Sequence, residues 1–160
     1  MKTLKVNFTL NQQPQTLITA TGRTLLDVLR EEFHLTGAKD SCGGEGECGA
    51  CTVLLDGLPV NACLVLISQV EGRNILTIEG LAQPGTTHPI QTAFIEEGAI
   101  QCGYCTPGMV LASKALLDRT PNPVESEIRE ALAGNLCRCT GYSKIVNAVK
   151  RAAGEVKREI

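Results

Sequence analysis

The stretch CGGEGECGAC at residues 42–51 sets three cysteines and four glycines in one short loop, and Cys63 follows after eleven further residues. The spacing is C-x5-C-x2-C, with a fourth cysteine downstream. Plant-type [2Fe–2S] sites use C-x4-C-x2-C with a more distant fourth cysteine, so the first gap here is longer by one residue. Glycine suits such a loop, because it accepts positive φ and lets backbone N–H groups turn towards sulfur. Gly43-Gly44 is expected to absorb the extra residue as a bulge. Cys42, Cys48, Cys51 and Cys63 then form a four-thiolate set.

The flanking sequence reads as a small sheet. Thr52–Leu55 and Leu58–Val60 bracket Asp56-Gly57, a strong hairpin signal, and the hairpin returns Cys63 to the side of Cys51. Pro59 places its arm at a sheet edge. Upstream, Leu4, Val6 and Phe8 alternate with polar residues, and Thr16–Ala20 follows the NQQP turn as a second strand. In TGRTLLDVLREEF, Leu25, Leu26, Leu29 and Phe33 recur at helical spacing, with Thr24 and Asp27 set as a capping pair. Residues 75–78 supply a last strand. A mixed sheet crossed by one helix fits a β-grasp arrangement.

Beyond EGLAQPGTTHP at residues 79–89, a Gly/Pro/Thr-rich linker, the pattern changes to helices. They are expected over 90–97, 107–117, 123–133 and 142–156, and their short connections favour a four-helix bundle. The expected class is therefore α+β, with domains at 1–80 and 81–160. The second half carries the remaining cysteines, Cys102, Cys105, Cys137 and Cys139, in QCGYCTPG (101–108) and LCRCTGY (136–142). Each pair precedes a helix, with Thr106 and Thr140 as expected N-caps, so positive dipole ends would face an anionic cluster.

Much else is excluded. Fifteen basic against seventeen acidic residues leave a net charge of −2, which gives no footprint for nucleic acid. No apolar run is long enough for a membrane span, and the first residues lack a signal-peptide core, so the expected location is the cytoplasm. There, structural disulfides are rare. G-x-G-x-x-G at 44–49 is interleaved with cysteine and runs into a strand, which is wrong for a dinucleotide fold. No Walker A motif, G-x-S-x-G motif or acid–base pair is present, and His34 and His88 are isolated. The chain is expected to move electrons rather than transform substrate. Two zinc sites, each with four cysteine ligands, are the alternative on spacing alone, and a free-standing two-cluster ferredoxin is the alternative function.

Taken together, SCGGEGECGACTVLLDG, QCGYCTPGM and GNLCRCTGY resemble the small iron–sulfur subunit of the molybdenum hydroxylases, the xanthine dehydrogenase, aldehyde oxidoreductase and nicotinate dehydrogenase group. The resemblance runs from about residue 3 to 153. It implies two [2Fe–2S] clusters, one on Cys42, Cys48, Cys51 and Cys63 and one on Cys102, Cys105, Cys137 and Cys139. It implies that Gln101 and Cys139 approach molybdopterin. The molybdenum cofactor belongs to a large partner subunit and FAD to a medium one, in a dimer of heterotrimers. Electrons are expected to leave molybdenum through the helical-domain cluster, then the first cluster, to FAD.

Overall fold

The computed structural model describes residues 2–83 and 85–156; the last four residues of the second expected domain lie outside them. Strands β1 (Thr3–Leu10) and β2 (Gln13–Ala20) form a hairpin closed by Asn11-Gln12. Both turn residues take positive φ, 50° and 67°, as a two-residue turn between twisted strands requires. The turn is thus tighter than NQQP, and β2 starts three residues earlier than expected. Strands β3 (Thr52–Leu55) and β4 (Leu58–Asn61) pair across Asp56-Gly57. β5 (Asn74–Leu76) completes a five-stranded sheet in the order β2-β1-β5-β3-β4, parallel to β1 and antiparallel to β3. Pro14 and Pro59 both lie on its edge strands, where a missing N–H is tolerated.

β5 stops sooner than the expected 75–78. The Asn11 side chain takes over at Thr77, accepting its N–H at 2.9 Å and donating to its hydroxyl at 3.0 Å. Ile78–Gly80 then turns as a short 3₁₀ segment.

Helix α1 (Leu25–Glu31) crosses one face of the sheet. Its capping box forms with aspartate: Thr24 Oγ1 accepts the Asp27 N–H at 3.1 Å, and Asp27 accepts the Thr24 N–H at 3.0 Å. Leu25, Val28 and Leu29 pack on Val6, Phe8, Val53 and Ile75 as the first core. The helix ends before Phe33, whose ring still meets Phe8 edge-on at 5.9 Å.

Helices α2 (Pro89–Glu96), α3 (Thr106–Arg119), α4 (Glu125–Leu132) and α5 (Ser143–Val156) surround a second core. Phe94, Met109, Ile128, Leu132, Ile145 and Val149 lie at its centre. His88 caps α2 rather than standing isolated: its Nδ1 accepts the Ile90 N–H. The two cores meet through β3. All four β3 residues are buried, and Leu54 turns from the first core to pack on Leu111 and Ala115 of α3. A strand covered on both faces reads as a continuous apolar run, which is why TVLL does not alternate.

Two outcomes follow from this packing. Leu111→Ala empties the layer between β3 and α3, where the side chain is 1% exposed, and should cost roughly 2–5 kcal/mol, read as a lower urea midpoint. Asp56 holds its carboxyl below the usual range because it accepts the Asn74 N–H and then the Arg73 guanidinium. A depressed carboxyl pKa stabilises the fold above its unfolded value, and that contribution disappears as pH falls through the folded value. Asp56→Asn should therefore lower the melting temperature at pH 7 and narrow the difference between pH 7 and pH 3.

Candidate metal centres

The first cysteine loop leads from α1 into β3. Its four glycines, Gly43, Gly44, Gly46 and Gly49, all take positive φ. The curl points the N–H groups of Glu47, Cys48 and Glu45 at the Cys42 sulfur, lowering that thiol to about 7, and Cys42 also touches the Cys48 side chain. The longer first gap thus still delivers Cys42 to the other cysteines. The Ala50 N–H donates to Cys48 Sγ at 3.5 Å.

The β3–β4 hairpin returns Cys63 as expected. The Ala62 N–H donates to the Cys51 carbonyl, and Asn61 Nδ2 donates to the Gly46 carbonyl at 2.6 Å. Burial and contact with Cys51 push the Cys63 thiol up to about 12. Cys42–Cys48 and Cys51–Cys63 are therefore the touching pairs of the first set. Leu64 folds over the loop, and its side chain fills the space where a Gly46 Cβ would stand.

The second set lies at the start of α3 and in the α4–α5 connection. Cys102 and Cys139 are exposed, with their sulfurs 3.6 Å apart. Cys105 and Cys137 are half-buried. Burial, then contact with Cys137, raises the Cys105 thiol to about 12. Burial opposes ionisation of Cys137 as well, but the Thr140 hydroxyl and N–H and the Cys139 N–H together hold it below the usual thiol range. The Thr140 Oγ1–H donates to Cys137 Sγ at 3.1 Å and the Thr140 N–H at 3.4 Å. Gln101 is exposed beside Cys102.

The expected threonine caps take a different form. Cys105 is the N-cap of α3 and Thr106 its first residue. Thr140 does not cap α5, because Gly141 and Tyr142 both take positive φ (64° and 68°) and delay the helix to Ser143. Its hydroxyl serves sulfur instead. A single helix end, that of α3, therefore abuts the second set.

The donor chemistry fits metal ligation. Each set presents two touching thiol pairs, and a buried thiol raised to about 12 ionises at neutral pH only beside a strong positive charge, such as a coordinated metal ion supplies. A binuclear cluster takes two thiolates on each iron, which suits pairs.

The first set approaches the second at Cys48. Leu136, next to Cys137, donates its N–H to the Cys48 carbonyl at 2.9 Å. Cys48, Ala50, Cys102, Cys105, Cys137 and Cys139 line a common cavity of about 240 Å³.

Comparison with known proteins agrees with this geometry. Residues 8–76 match the 2Fe-2S iron-sulfur cluster binding domain family, and residues 77–150 match the [2Fe-2S] binding domain family. The chain is 50% identical over 152 residues to the nicotinate dehydrogenase small FeS subunit of Eubacterium barkeri, covering 95% of this chain and 96% of that protein. It belongs to the small [2Fe–2S] subunits of the molybdenum hydroxylase family. A crystal structure of quinoline 2-oxidoreductase from Pseudomonas putida 86 superposes with a TM-score of 0.93 at 40% identity, covering 99% of this chain and 98% of that one. Aldehyde oxidoreductase from Desulfovibrio gigas gives the same TM-score at 40% identity; 98% of this chain matches only 18% of that longer one. Small subunits of this family thus also occur as part of a larger polypeptide.

In this small subunit, several residues that shape the centres carry no cysteine signal. Asn135 is 6% exposed, and its Nδ2 donates to the Gly49 carbonyl and to Thr52 Oγ1, each at 3.0 Å. The Cys137 N–H donates to the Tyr142 hydroxyl, which donates on to the Asn135 carbonyl. A lone polar residue two positions before a C-x-C pair was the available hint.

Glycine is required where the halves touch. A Cβ on Gly108 would lie 2.5 Å from the Gly49 carbonyl, and one on Gly49 would lie 2.3 Å from the Gly134 carbonyl. Gly108→Ala should therefore separate α3 from the first loop. The expected readout is a lower melting temperature together with bleaching of the visible iron–sulfur absorption, whereas Gly22→Ala, in open space, should change neither.

Proposed function

We propose that this chain is the electron-transfer subunit of a molybdenum hydroxylase complex, joining a large molybdopterin-binding partner to a medium FAD-binding partner. Cys42, Cys48, Cys51 and Cys63 hold one [2Fe–2S] cluster, and Cys102, Cys105, Cys137 and Cys139 hold the other. The observation that carries this reading is the arrangement of eight thiols as two sets of touching pairs, with Cys48 of the first set and all four thiols of the second lining one cavity. When bound, the clusters supply one-electron carriers between the two partner cofactors.

The protein's own residues do the rest. Backbone N–H groups around Cys42 and the Thr140 hydroxyl at Cys137 stabilise negative charge on sulfur. Burial of Cys51 and Cys63 keeps water from the inner side of the first set. Gln101 and the exposed Cys102–Cys139 pair form the face turned to the molybdopterin partner. The separate cores support a division into a β-grasp domain, 1–80, and a four-helix domain, 81–160. Both sets leave the substrate pocket to the partner.

Iron and acid-labile sulfide analysis with EPR of the reduced complex tests this. Two separable cluster signals are expected. Cys42→Ser should remove one and Cys102→Ser the other, each leaving the remaining signal in place. Zinc in place of iron, or a single signal, would overturn the reading.

A further inference from the structure

Lys39 belongs to the first half of the chain, yet its ammonium stands over the second cysteine loop. Its Nζ lies 5.6 Å from the ring centroid of Tyr104, a residue between Cys102 and Cys105. Cations are attracted to an aromatic face at this range. The arrangement is anchored on both sides. The Lys39 N–H donates to the Ala50 carbonyl at 3.0 Å, in the wall of the shared cavity, and Nζ donates to the Gly37 carbonyl at 3.0 Å. From the other side, the Tyr104 hydroxyl donates to the Asp40 carbonyl.

Other charges are near. Glu79 accepts the Gly37 N–H at 2.7 Å, and Arg30 is spent on the Ala38 and Thr36 carbonyls. Glu79 is exposed, so solvent weakens its opposition. Lys39 is half-buried: burial lowers its pKa, Glu79 favours its charged form, Arg30 opposes it, and Cys105 of the second set favours it least of these. An added electron places negative charge on the cluster, and a fixed cation held in protein favours that state more than one in water does.

We propose that Lys39, lent across from the first domain and seated on Tyr104, sets the potential of the cluster held by Cys102, Cys105, Cys137 and Cys139, favouring its reduced form. It is a positioning residue that acts through its field and touches no reacting atom. The inference rests on the two-cluster reading above.

The test is a redox titration of the purified complex followed by EPR, with the second cluster identified as the signal that Cys102→Ser removes. At the potential where that cluster is half reduced in the wild type, Lys39→Met should lower its reduced-to-oxidised ratio roughly three- to tenfold, the effect of one charge across several ångströms of protein. The first cluster should move less. Lys39→Arg, which keeps the charge, should stay close to the wild type. An unmoved second cluster in Lys39→Met, or an equal shift in both clusters, overturns the inference. If Lys39→Met fails to assemble the second cluster, Lys39→Gln is read in its place; failure of both makes Lys39 a packing residue and also overturns it. A wild type lacking either signal sinks both readings, whereas two wild-type signals with unmoved potentials sink this one alone.

Discussion

The molecule depends on one close approach of backbone to backbone. Gly49 in the first cysteine loop, Gly108 near the start of α3 and Gly134 after α4 meet with no room for a Cβ on Gly49 or Gly108. Asn135 seals the junction with two hydrogen bonds from its buried amide. Leaving such an amide unpaired would cost about 1–3 kcal/mol, so the polar contact also fixes which way the halves fit. From this contact follow the Leu136–Cys48 hydrogen bond, the shared cavity and the placing of Lys39 over Tyr104. The two cysteine sets are neighbours because two glycines, Gly49 and Gly108, let them be.

Within each set, the thiols are unequal. Cys42 and Cys137 sit among donors that welcome a thiolate, whereas Cys63, buried, and Cys105, half-buried, each lie against another sulfur that resists one. Ionising each inner thiol therefore draws on an outside cation, and metal binding and loop order are one process. The outer pair of the second set, Cys102 and Cys139, stays at the surface. Burial thus grades from Cys51 and Cys63 of the first set to the rim where Gln101 stands.

Elements with a strong local code were legible in the sequence. Asp56-Gly57 specified its hairpin, Thr24 and Asp27 their capping box, and the C-x2-C and C-x-C spacings the two groups of four cysteines. What escaped detection depended on distant partners. The end of β5 is set by Asn11, more than sixty residues away in sequence. Thr140 looked like a helix cap because a threonine after a loop usually is one; the left-handed Gly141 and Tyr142 reassigned its hydroxyl to sulfur. The contacts of Asn135 and Lys39 cross from one half to the other, and no local pattern encodes them.

The two edge strands end the sheet in the same manner. Pro14 and Pro59 each follow the closing pair of a two-residue hairpin, opposite Thr9 and Leu54. That position is a non-hydrogen-bonded site of the ladder, so the donor that proline lacks would have pointed outwards. Each free margin is therefore missing a donor where an incoming strand would seek one. The sheet is thereby a poor template for cross-β growth: both of its margins discourage strand addition.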